Sequence, residues 1–115
     1  MKAVYTLKKN SDFRRLYSKG KSCVTPYMVV YCRRAPVPQG RVGYTVSTKL
    51  GGAVTRNRVR RRLREIYRLN LPTLKAGYDL IIVARGRSVG AKYQSLNAAF
   101  LSACDQLGIL READT

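Results

Sequence analysis

Phe13, Leu16 and Tyr17 recur at helical spacing between Asn10 and Gly20, which predicts a short helix over residues 11–19 with Asn10 as N-cap and Asp12 in the first turn. The run VTPYMVVYC from Val24 to Cys32 is rich in β-branched and aromatic residues. Proline is tolerated only near a strand start or on an edge, so a strand is expected after Pro26. Pro36, Pro38 and Gly40 mark a turn over 35–40. RVGYTVS then alternates, with Val42, Tyr44 and Val46 directed inward and Arg41, Gly43, Thr45 and Ser47 outward. Two strands this close in sequence are expected to pair antiparallel.

Gly51 and Gly52 close that section. A helix over 55–70 follows, with Val59, Leu63, Ile66 and Tyr67 as its apolar stripe, and stops before Pro72. Tyr78 and the unbroken apolar run Leu80–Ala84 predict a strand covered on both faces, placed centrally. A last helix is expected over 91–107, with Leu96, Ala99, Phe100, Ala103 and Leu107 on one face and Gly108 as its stop. The fold class is therefore α/β (α+β): a two-layer sandwich of three helices on a small sheet, in the order α-β-β-(β)-α-β-α. One domain is expected over 1–115, with an ordered core of about 7–108 and a mobile tail over 109–115 that includes Glu112 and Asp114.

Charge narrows the function more than the pattern does. The chain of 115 residues holds 23 Lys plus Arg against 6 Asp plus Glu and no His, a formal charge of +17. Such an excess attracts polyanions, nucleic acid first and acidic membrane surfaces second. Without His, and with Asp12, Glu65, Asp79, Asp105, Glu112 and Asp114 scattered, nothing forms a two-metal carboxylate cluster or a general-base site, and no catalytic or metal-binding residue is assigned. Cys23, Cys32 and Cys104 lack metal-ligand spacing and sit in apolar runs, as structural thiols do. No stretch of signal-peptide or membrane length follows Met1, so a reducing cytoplasm is the expected location and no membrane is expected as a partner.

The most specific feature is the segment Arg56–Arg68, with seven arginines in thirteen residues and the single acid Glu65. At 100° per residue, Asn57, Arg61, Arg64 and Arg68 lie opposite the apolar stripe and the other arginines flank them. Like charges at i, i+3 and i+4 repel unless anions neutralise them. Arginine's planar fork also suits phosphate better than lysine does. A solvated helix face is the plain alternative, and the scarcity of acidic partners weighs against it. A membrane-surface helix would need its apolar stripe free, whereas here the sheet needs it.

LKKNSDF (Leu7–Phe13) followed by RVGYTVSTKLGGAVTRNRVRRRLRE (Arg41–Glu65) resembles the bacterial ribonuclease P protein family. The resemblance runs from Leu7 to about Leu107. Its most specific part is Arg56-Asn57-Arg58, preceded by a strand, a glycine turn and Ala53-Val54. It implies a mixed sheet of the ribosomal protein S5 domain 2-like kind, whose βαβ crossover is left-handed against the usual rule. It also implies an accessory subunit, a protein monomer within a ribonucleoprotein, whose catalytic RNA removes the 5′ leader from precursor tRNA with Mg²⁺ held mainly by RNA. Arg56, Asn57, Arg58, Arg60, Arg61 and Arg64 would contact the catalytic RNA. Phe13, Tyr17 and Tyr31 would line a cleft for the single-stranded leader, with Lys8, Arg14 and Arg15 near its phosphates; many relatives carry Phe where Tyr17 stands. Core packing is the alternative for the three rings. A structural RNA-binding protein, such as a small ribosomal protein, would share the charge and size.

Overall fold

The structure, a computed structural model, describes residues 4–112. Helix α1 (Asn10–Lys19) is followed by strands β1 (Lys21–Val24), β2 (Met28–Arg34) and β3 (Val42–Thr45), then helix α2 (Ala53–Asn70), strand β4 (Tyr78–Ala84) and helix α3 (Tyr93–Gln106). The element order is the expected one, with the optional third strand present. β1 and β2 form a hairpin because Thr25 closes the turn: its Oγ1 accepts from the Met28 amide at 3.0 Å and donates to the Met28 carbonyl at 2.8 Å. Asn10 is not the cap expected of it. Lys9 occupies the N-cap without a side-chain bond, and Asn10 is the first helical residue. Gly20 does end α1, through close approach rather than a left-handed turn, since a Cβ there would lie 2.5 Å from the Leu16 carbonyl oxygen.

The sheet order is β1-β2-β4-β3, antiparallel except for the parallel pair β3 and β4. The expected antiparallel pairing of the second strand with RVGYTVS is therefore wrong. β4 inserts between them, because a strand carrying the unbroken apolar run Leu80–Ala84 gains most from neighbours on both edges and layers on both faces. β3, α2 and β4 make the βαβ unit to which the expected left-handed crossover refers. Residues 5–7 run beside β3, with the Leu7 amide 2.9 Å from the Val42 carbonyl oxygen.

The main core lies between the sheet and α2 with α3. It contains Val42, Val46, Leu80 and Ile82 from the sheet side, Val59, Leu63, Ile66 and Tyr67 from α2, and Leu96, Phe100 and Ala103 from α3. Cys23, Cys32 and Cys104 are free and buried in this core, and burial pushes the Cys104 thiol up to about 12. The opposite face of the sheet is not open to solvent as the outward set Arg41, Gly43, Thr45 and Ser47 implied. α1 crosses it, and Leu7, Leu16 and Ile81 form a second small core there with Phe13, Tyr31 and Val83 packed around them. Gly43 is buried beneath Phe13, whose Cζ would stand 2.5 Å from a Cβ at that position.

Gly108, at φ +74°, supplies the left-handed stop after α3. The ordered core passes beyond the expected limit at residue 108: Ile109 is buried, Leu110 bridges to Leu74, and the Arg111 amide donates to the Thr73 carbonyl at 2.8 Å. Asp114 lies outside the described residues. Among those residues no helix is long and apolar enough to cross a membrane.

Candidate nucleic-acid interface

α2 buries the stripe read from its sequence, Val59, Leu63, Ile66 and Tyr67, and thereby turns its arginines away from the core. They are not equivalent. Arg56 donates through Nε to the Gly51 carbonyl at 3.1 Å, Arg60 to Asn57 Oδ1 at 3.2 Å, and Arg62 to the Ala91 carbonyl at 2.7 Å. Arg68 is neutralised by Glu65 at 2.7 Å. Arg58, Arg61 and Arg64 are exposed and have no side-chain partner among the described residues. The first turn holds no acid, so the positive end of the helix dipole adds to this row. Together these groups make a cationic ridge suited to phosphates, and Asn57 and Arg60 restrain one another at its start.

Phe13, Tyr17 and Tyr31 come together on the other face of the sheet. Tyr17 meets Tyr31 edge to face with ring centroids 4.9 Å apart, and the Tyr17 hydroxyl shares a 2.8 Å hydrogen bond with Thr45 Oγ1 on β3. Tyr17 is 40 % exposed, whereas Phe13 and Tyr31 are half-buried. Phe13 is therefore chiefly a packing residue over Gly43, and Tyr17 and Tyr31 present ring surface to solvent. Strand register adds lining residues that sequence reasoning missed. Val24, Val29, Val83 and Thr45 stand side by side in the next row of the sheet, across β1, β2, β4 and β3. Val29 could have been found by counting two residues from Tyr31, but Val83 required the β2–β4 pairing and Thr45 the β3–β4 pairing.

Of the basic residues expected beside this cleft, Arg14 shares the Tyr17 side of α1 by helical angle. Arg15 does not: it lines a notch with Asp12, Leu16 and Arg33 on the opposite flank of α1. That flank is tied down by Arg41, which donates to Asp79 at 2.7 Å and to Asp12 at 3.3 Å. Among the described residues no three His, Cys, Asp or Glu side chains gather, and Asp12 and Asp79 already share Arg41, so the donor set does not fit Mg²⁺.

The sequence and the fold have known counterparts. The family model Ribonuclease P matches residues 1–108. The chain is 42% identical to a ribonuclease P protein component of Alkaliphilus oremlandii over 113 residues, covering 98% of this chain and 99% of that one. It is 46% identical to one of Clostridioides difficile over 92 residues, covering 79% and 81%. The fold matches the Staphylococcus aureus RNase P protein with a TM-score of 0.84 at 29% identity, covering 95% of this chain and 100% of the other. It matches the Thermotoga maritima RNase P protein with a TM-score of 0.80 at 27% identity, covering 88% and 96%.

Proposed function

This chain belongs to the ribonuclease P protein family, and on that premise we propose a division of labour between its two faces. As the protein subunit of ribonuclease P, a single copy docks on the catalytic RNA through α2 and holds the 5′ leader of precursor tRNA in the Tyr17–Tyr31 cleft. The observation that carries this reading is the pairing pattern on α2: Arg58, Arg61 and Arg64 are held out by a buried stripe and have no anionic partner among the described residues. The opposite face supplies what an unpaired leader needs. Rings at Tyr17 and Tyr31 stack bases without reading their identity, which suits precursor tRNAs of differing leaders.

Hydrolysis of the phosphodiester is assigned to the RNA. Among the described residues no His, Cys, Asp or Glu side chains cluster to hold a metal, and the chain has no His to serve as general base. What the protein's own residues do is bind, orient and screen: cations on both faces reduce repulsion between two polyanions. A structural RNA-binding role of the ribosomal kind would leave tRNA maturation unaffected.

The test is cleavage of precursor tRNA by the cognate catalytic RNA at low Mg²⁺. The protein is expected to stimulate it and to cleave nothing alone. Site-specific cleavage by RNA-free, nuclease-free protein would overturn the division of labour.

A further inference from the structure

The end of the molecule remote from Arg56 and Arg58 carries cations and rings that the reading above leaves unused. Arg33 and Arg34 end β2, beside Lys21 at the start of β1 and Lys19 at the end of α1. At ~3.3 Å per residue the length of β2 puts them roughly 20 Å from its other end. α2 begins at that other end, after the C-terminus of β3.

Three depressions join here through shared walls. A notch of about 170 Å³ on the α1 face and a hollow of about 290 Å³ containing Lys19 and Lys21 share Arg33 and Arg34. Tyr78 links the second to an apolar cavity of about 280 Å³ lined by Tyr5, Tyr67, Leu71 and Leu74. The result is one concave band that wraps round the end of the sheet, cationic on one side and tyrosine-lined on the other. Its two acids, Asp12 and Asp79, are both engaged by Arg41. Lys19, Lys21 and Arg33 have no ion-pair partner among the described residues, and Arg34 lies over the Tyr78 ring, 5.5 Å from its centroid.

Cations leading into an aromatic cavity are the combination that holds unpaired nucleic acid, with phosphates on the cations and a base against the rings. A duplex backbone would use the cations and leave the cavity idle. At about 280 Å³ the cavity lies just below the range of ligand pockets, roughly 300–1,000 Å³, which suits a single base. We propose that this band is a second RNA-binding surface, which takes an unpaired segment of the catalytic RNA along Lys19, Lys21, Arg33 and Arg34 and seats one base against Tyr5 and Tyr78. The proposal rests on the reading that a catalytic RNA is the partner of α2. The catalytic RNA is favoured over the leader because α1 stands as a ridge between this band and the Tyr17–Tyr31 cleft. A rigid subunit gripped at two ends by one RNA also gains affinity through effective concentration.

The experiment is backbone footprinting and base-specific chemical probing of the catalytic RNA in the assembled holoenzyme, with circular dichroism of each variant. The exposed pair Lys19→Glu/Lys21→Glu should weaken assembly about tenfold at low salt and erase a patch of backbone protection distinct from the patch lost in Arg58→Ala/Arg61→Ala. Tyr5→Ala should keep that backbone protection and expose one unpaired base to the probe. An unchanged footprint in the lysine variant would overturn the proposal. So would a defect confined to precursor tRNA binding, or an unaltered base in Tyr5→Ala. Loss of the other patch in Arg58→Ala/Arg61→Ala would still stand in each case, so failure here is distinguishable from failure of docking through α2.

Discussion

Arg61 and Arg62 are neighbours with opposite uses. Arg62 is half-buried and donates to the Ala91 carbonyl in the loop before α3, so Arg62→Ala should lower stability by about 1.5 kcal/mol, the scale of a hydrogen bond from a charged group. Arg61→Ala should leave the unfolding midpoint unchanged and weaken binding of the catalytic RNA, with a flatter salt dependence. Thermal denaturation and salt titration of the two variants check both. Arg61→Ala without an RNA defect would move the docking surface off α2. Helical angle alone made Arg61 legible as outward. It could not show that Arg62 finds a carbonyl, because that partner comes from a loop distant in sequence. Tyr44 is a similar case. Its inward direction followed from alternation, yet its hydroxyl is buried without a partner and burial pushes its pKa well above the usual phenol range. Tyr44→Phe should therefore stabilise the fold by about 1 kcal/mol. Destabilisation in a denaturant titration would mean that the hydroxyl is satisfied.

At the scale of elements, α2, β4 and α3 were legible because each carries a long pattern whose period admits one answer. Strand pairing was not. The short 35–40 turn favours a hairpin, and only the demand of β4 for two covered edges places it between β2 and β3. The covering of the sheet by α1 was equally hidden, since its tether joins Asp12 on α1, Arg41 just before β3 and Asp79 on β4. Asp79 is buried while Arg41 keeps about a fifth of its side chain exposed. Asp79→Asn should accordingly cost roughly 2–3 kcal/mol, below the range for a wholly buried pair. Chemical denaturation measures it. A cost near zero would show that α1 is held by Leu16 and its apolar neighbours alone. Gly43→Ala should loosen the same helix by driving Phe13 from its seat, at about 1–3 kcal/mol.

For the whole molecule, alkaline pH is the lever that the buried groups supply. Burial raises Tyr67 from 10.0 to about 12 and Cys104 from 9.0 to about 12. The unfolded chain loses these protons first and so binds fewer of them than the native state, which makes stability fall as pH rises. That contribution is fully present below about pH 9 and is lost by about pH 12. The denaturant midpoint should decline through this window, and less steeply in Tyr67→Phe; equal declines would assign the effect elsewhere. The charge of +17 made an RNA partner legible at this scale, and the family resemblance supplied which RNA. In the proposed division of labour, which face meets which RNA follows from the layers, because α2 and α1 lie on opposite sides of one sheet. The most direct test of that separation is the affinity of the reconstituted holoenzyme for precursor tRNA against mature tRNA, with wild-type protein and with Tyr17→Ala/Tyr31→Ala. Base stacking on aromatic rings contributes about 1–3 kcal/mol per base, so the double variant should lose roughly five- to a hundredfold of the preference for precursor while binding mature tRNA and the catalytic RNA as before. Full precursor preference in a folded double variant would contradict it and leave both tyrosines as packing residues.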